Sequence, residues 1–178
     1  MLELLVSGKE FYDEKNNEFI TTKPTKLLLE HSLISVSKWE SKWKKPFLSS
    51  QKSAPEIIDY IRCMTLTQCV PLEVYGALSK ENIADVVAYI EDPMTATKIT
   101  TKKSGPKGEV VTAELIYYWM VALNIPFECQ KWHLNKLLTL IEVCSIKSQP
   151  AKKMSKSEIL RQNRELNAAR RAKYKTKG

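Results

Sequence analysis

Two histidines, four cysteines, a lysine-glycine loop and an arginine-rich end are the parts of this 178-residue chain whose types can do chemistry. Cys129 and His133 stand four apart on a predicted helix, so they can share a face and offer two ligands to a metal. A tetrahedral site needs four, and no second Cys/His pair stands at ligand spacing. If Cys129 and Cys144 share one helix, their separation of 15 positions puts them roughly 22 Å apart, beyond the ~7 Å limit for a disulfide. Cys63 and Cys69 do not have a zinc-knuckle spacing, and reduced cysteines suit a cytosolic setting. His31 lies between Glu30 and Ser32 in a strand-like segment, where neighbours point to opposite faces, so the three are not a triad. The stretch GPKG (Gly105 to Gly108) lacks the Gly-x4-Gly-Lys-Ser/Thr pattern of a phosphate loop. The expectation is a protein without enzymatic chemistry, cofactor or metal.

Two groups of residues suggest binding instead. Trp39, Trp43 and Phe47 recur every four residues in SKWESKWKKPFL, which puts them on one side of a helix or of a strand. They form a partly exposed recognition surface, or they close the N-terminal layer over the helices. The second group is the end of the chain, MSKSEILRQNRELNAARRAKYKTKG. Ser155 and Glu158 have the spacing of a capping box, so a helix is specified at its start. Beyond it the apolar stripe of Ile159, Leu166 and Ala169 is narrow, and burial at about 1.5–3 kcal/mol per large side chain holds such a helix only weakly. The segment from Met154 to Lys173 is therefore expected to be mobile alone and ordered on a partner. Ile159 and Leu166 would anchor it, and Arg161, Arg164, Arg170 and Arg171 would meet acidic groups.

Charge is distributed to match. Met1 to Asp92 holds 11 Lys/Arg against 14 Asp/Glu, whereas Pro93 to Gly178 holds 17 against 6. Lys147 to Gly178 alone carries a net +9, while the whole chain is +8, so the tail supplies all of the positive balance. The N-terminus has no basic n-region followed by an apolar run, and the most apolar stretch, Leu115 to Leu123, is nine residues against the ~20 of a membrane span. No membrane partner is expected.

The elements that must position these residues read as α+β, mainly helical. LELLV (Leu2 to Val6) and EFIT (Glu18 to Thr21) flank the turn-like YDEKNN and suggest a hairpin. KLLLEHSLISVSKWESKW then continues as a strand or extended arm, giving a small antiparallel meander over about residues 1–48. Helices fill about 54–146, with starts at Ser53-Ala54-Pro55-Glu56, at Ser79 and at Thr112, and a mobile loop covers about 93–110. The helix after Thr112 is apolar on nearly every face and predicts burial all round. With a second helix from Pro126 carrying Trp132, Leu137, Leu140, Ile141 and Cys144 it forms a hairpin whose core includes Trp119 and Trp132. Residues 1–149 are one globular domain, and 150–178 are a basic helical extension.

Three phrases carry a resemblance: LLLEHSLISVSKWESKWKKPFL, ELIYYWMVALNIPFECQKWHLNKLLTLIEVC and MSKSEILRQNRELNAARRA. Together they resemble a family of small proteins from the structural-gene region of long-tailed bacteriophages, tail assembly chaperones or virion proteins. The resemblance implies non-enzymatic work in the host cytoplasm: binding the tape measure protein or another tail component, with a place in the virion and a homo-oligomer left open. The competing expectation is a nucleic-acid-binding module that uses the basic tail. Its weakness is that Tyr174 is the only aromatic beyond Trp132 able to stack on a base.

Overall fold

The computed structural model describes residues 1–13, 17–99, 110–148 and 155–174. Most of the expected mobile loop and all of GPKG lie outside the described residues. The chain divides into two compact units, Met1–Ile146 and Lys147–Gly178.

The first unit is mainly helical with an antiparallel β layer at its N-terminal end, as expected. Its pairing is nested rather than serial. β1 (Leu2–Val6) pairs with β4 (Thr25–Leu29), and between them β2 (Glu10–Asp13) pairs with β3 (Glu18–Thr21), so LELLV and EFIT are not partners. Alternation explains the choice. Leu4 faces the core opposite Leu27, and Val6 and Leu29 lie on the same face, all four buried, while Glu3 and Lys26 make an exposed 2.7 Å ion pair on the outer face. Gly8 sets the break between the two ladders, because a Cβ there would sit 2.4 Å from the Thr22 carbonyl. Lys9 and Thr22 lock it with a 2.9 Å bond from the Thr22 amide to the Lys9 carbonyl. The other edge of β4 is covered by the chain after α2 (Ala54–Met64): the Leu66 amide donates to the Leu28 carbonyl at 2.7 Å.

The arm expected to extend beyond residue 30 is a helix instead. α1 (Leu33–Trp43) begins at Ser32, whose hydroxyl accepts the Ser35 amide while the Ser35 hydroxyl accepts the Ser32 amide. That reciprocal pair is a capping box with serine in place of glutamate. Leu33, Val36 and Trp39 are then buried at a three-residue interval, and Lys44 ends the helix in the left-handed region. Helical period prevailed over β-branched content.

α2 opens as expected, with the Glu56 carboxylate accepting the Ser53 amide at 2.7 Å and its hydroxyl at 3.0 Å. A short α3 (Leu72–Gly76), unforeseen, precedes α4 (Lys80–Glu91), which Ser79 caps. α5 (Ala113–Ala122) is capped by Thr112, and its first amide is held from another element. Glu40 of α1, 8% exposed, accepts the Phe47 amide at 2.6 Å and the Ala113 amide at 2.7 Å. One carboxylate thus satisfies two backbone donors and ties α1 to the start of α5.

The second member of the expected helical hairpin is divided. Residues Phe127–Lys131 form a 3-10 turn, and α6 (Leu134–Ser148) starts after His133. Cys129 and His133 therefore do not share a helix, and neither do Cys129 and Cys144; all four cysteines are free thiols. Leu137 and Ile141 are buried as expected, but Trp132 is 39% exposed and Trp119 only half-buried, so these two tryptophans are not the centre of a core. The buried centre is Leu33, Trp39, Ile61, Met64, Ile116 and Leu134, from four different helices.

Candidate functional site

Trp39, Trp43 and Phe47 converge, but not into an exposed surface. Trp39 has no solvent exposure and its indole N–H donates to the Glu56 carbonyl at 2.9 Å. Phe47 packs edge-on to Trp39 with ring centroids 5.2 Å apart and lies 4.1 Å from the Tyr60 ring. The Lys52 ammonium covers the pair, 4.1 Å from the Phe47 ring and 2.6 Å from the Phe47 carbonyl. The expected recognition surface is thus corrected to a core cluster. The apolar rings are worth more buried than exposed, and a helix instead of an arm turns Trp39 inward.

Trp43 alone stays half-open, beside a shallow cavity of about 500 Å³ lined by Trp43, Ile58, Arg62, Leu72 and Tyr75 among others. The one carboxylate there is Asp59, which takes 2.5 Å from Lys42 Nζ, 2.8 Å from the Trp43 indole N–H and 3.8 Å from Arg62. Burial pushes its carboxyl up, but the bonds from Lys42 and Trp43 together outweigh that and hold it below the usual carboxylate range. It is a saturated anion, unsuited to general base work.

The two histidines, 102 positions apart in the sequence, meet edge to face with ring centroids 5.0 Å apart. Nothing in the sequence pairs them; the structure does so because the residue before α1 meets the residue before α6. Ser32 and His133 form an isolated antiparallel bridge, and the Leu134 amide donates to the His31 carbonyl at 2.7 Å. His31 Nδ1 lies 2.5 Å from the Tyr60 hydroxyl. His133 Nδ1 accepts the Asn135 amide at 3.3 Å, which leaves Nε2 to donate to the Tyr89 carbonyl at 3.0 Å. Tyr89 in turn donates to Glu30 at 2.7 Å, so Glu30 touches the network through tyrosine. Both rings are buried and engaged, and the cluster works as a staple between the β layer and α6.

Burial, and then the charge of His133, depress His31 to about 3. Burial likewise lowers His133. Because both folded values lie below the unfolded ~6.5, protonation of the unfolded chain opposes folding as pH falls below about 6.5, a penalty that for His31 grows down to about pH 3. His31 alone is expected to remove about 2 kcal/mol between pH 7.5 and pH 5. Urea unfolding at the two values checks this, and His31→Gln should flatten the difference. Glu56 is depressed to about 2 by the Lys45 hydrogen bond first, so it contributes no change in that window.

The tail helix is the other candidate. α7 (Lys156–Tyr174) is started by the expected box: the Ser155 amide donates to Glu158 at 2.8 Å and the Glu158 amide to the Ser155 hydroxyl at 3.2 Å. None of its residues is buried, and Ile159, Leu160, Leu166 and Tyr174 are all exposed. At roughly 100° per residue, Ile159 and Leu166 fall together, with Lys156, Arg170 and Lys173 flanking them. Arg161, Arg164 and Arg171 fall on the opposite side, Arg161 with a 3.7 Å ion pair to Glu165. The four arginines are therefore not one cluster. The cations beside the apolar stripe include Lys156 and Lys173, which sequence reading passed over and a helical projection would have found.

Among the described residues no helix is long and apolar enough to cross a membrane, and no group of three or more His, Cys, Asp or Glu side chains is placed to hold a metal. Comparison with protein-family models, with curated proteins and with solved structures finds no match.

Proposed function

We propose that this chain is a non-enzymatic binding protein that docks on a protein partner through α7, serving the assembly of a bacteriophage tail. The observation that carries the docking reading is α7 itself: 19 helical residues, opened by a capping box of their own, with every large apolar side chain exposed. A helix set up in this way and left without burial is suited to a groove that takes Ile159 and Leu166 and offers carboxylates to Lys156, Arg170 and Lys173. The tail setting, with the tape measure protein or another tail component as partner, rests on the resemblance of the three quoted phrases.

A second reading is favoured by one observation. Arg161, Arg164 and Arg171 share the side turned away from Ile159 and Leu166, with Leu160 at its edge, and three cations on one side suit a phosphate backbone. Nucleic acid would then be met by that face and the apolar stripe would stay in water.

Ending the chain at Gln149 tests the first reading. The melting temperature should stay within about 2 °C, since surface changes away from the core move stability little. Binding to the tail protein proposed as its partner, a tape measure protein, read by calorimetry, should vanish. A fall of many degrees would make α7 part of the fold, and undiminished binding would place the docking surface elsewhere.

A further inference from the structure

α2 carries a row of outward side chains that the fold leaves uncovered. Ala54, Ile58 and Arg62 stand at four-residue intervals, so they follow one another along one side of the helix, apolar first and cationic last. Trp43 of α1 and Leu72 of α3, two helices that pack on α2, complete the cavity of about 500 Å³ around that row. Its volume lies within the ~300–1,000 Å³ of ordinary binding cavities. Leu72 is 63% exposed and the Arg62 side chain 51%, while Trp43 and Ile58 are half-buried.

The charges around this groove are unbalanced. Asp59 is saturated by Lys42 and the Trp43 indole, and Arg62 comes only to 3.8 Å of it, beyond hydrogen-bond distance. Among the described residues the Arg62 guanidinium has no hydrogen-bond acceptor of its own. The other carboxylates of α1 and α2 are engaged, Glu40 by the amides of Phe47 and Ala113 and Glu56 by Lys45. That leaves Glu73, beside Leu72, as the exposed carboxylate of the three helices, against the exposed cations Lys38, Lys44 and Arg62. The surroundings are net positive even with Glu73 counted.

We infer that this groove docks an acidic amphipathic helix of a partner protein, with an apolar side chain on Ile58 between Trp43 and Leu72 and a carboxylate one turn away on Arg62. Helix geometry supplies the match. Side chains four apart rise about 6 Å on any α-helix, so a partner helix lying along α2 repeats the Ile58-to-Arg62 interval. Its carboxylate gives the guanidinium the acceptor that Asp59 does not. A basic helix such as α7 is refused, since it would set cation upon cation. The groove belongs to the first unit alone, so its docking does not rest on the reading of α7.

The test follows the Trp43 indole N–H of the isotope-labelled full chain by NMR, during titration with two synthetic helical peptides. One carries two leucines and then a glutamate at four-residue intervals on an alanine and glutamine host, and the other has lysine for the glutamate. The acidic peptide should shift the Trp43 signal with Kd on the order of 100 µM. The lysine peptide should bind about fivefold more weakly, a modest ratio because the charges are exposed. Arg62→Glu should erase or reverse that preference, and Leu72→Ala should weaken both peptides about threefold, each without changing the far-UV circular dichroism. No shift at Trp43 up to millimolar peptide would overturn the inference. So would equal affinity for the two peptides, or a preference for glutamate that survives Arg62→Glu.

Discussion

Trp39→Ala is expected to bring the first unit close to unfolding, with a loss of about 3–5 kcal/mol for the vacated ring. The indole is wholly buried, so the surroundings must either collapse or keep a cavity bounded by Phe47 and Trp43. The Glu56 carbonyl also loses its 2.9 Å donor inside the protein, which adds roughly 1 kcal/mol or more. Against a total stability of ~5–15 kcal/mol that is a large share. Trp43→Ala provides the contrast. It removes a half-buried ring and one of the donors to Asp59, which keeps Lys42, so its cost should be well below half as great. Urea unfolding of the two variants side by side reads the difference. A Trp39→Ala loss under about 1 kcal/mol would mean that this ring is exposed and that the aromatic cluster is a surface after all.

The sequence exposed some of this and hid the rest for physical reasons. Helix starts at Ser53, Ser79, Thr112 and Ser155 were legible because a capping residue and its partner lie three positions apart, within the reach of local reading. The start at Ser32 was missed, since its box closes on Ser35 rather than on a glutamate. Leu33, Val36 and Trp39 carry the helical interval there, but the serines and β-branched residues between them also satisfy a period of two. The nested strand order was invisible because it depends on which leucines face one another across more than 20 residues, Leu2 with Leu29 and Leu4 with Leu27. Long-range polar contacts were equally silent. Glu40 holding the amide of Ala113, and His31 against His133, join residues that no spacing rule relates.

The site fared differently. Ile159 and Leu166 lie on one face of α7, as their seven-residue spacing implies, and that face is exposed. Trp39 and Phe47 were misplaced because even spacing fixes a shared side but not whether that side faces water. The arginines were grouped by composition, whereas helix geometry divides Arg170 from Arg161, Arg164 and Arg171.

That division makes docking through the apolar stripe directly testable, by comparing two variants of the full chain in binding to the tail protein proposed as its partner, a tape measure protein. Ile159→Ala with Leu166→Ala removes the anchors and leaves every charge. Losing two buried side chains at about 1.5–3 kcal/mol each predicts at least a hundredfold rise in Kd. Replacing Arg161, Arg164 and Arg171 together by alanine leaves the stripe intact and should shift Kd by no more than about threefold, because exposed charges contribute little. The same proteins titrated with random-sequence duplex DNA complete the measurement. Docking in a protein groove predicts only feeble DNA binding. The contradicting result is tight DNA binding whose logarithm falls with log salt at a slope near −2.7, that is about −0.9 for each of three arginines, and that disappears in the arginine variant but survives in the Ile159, Leu166 variant.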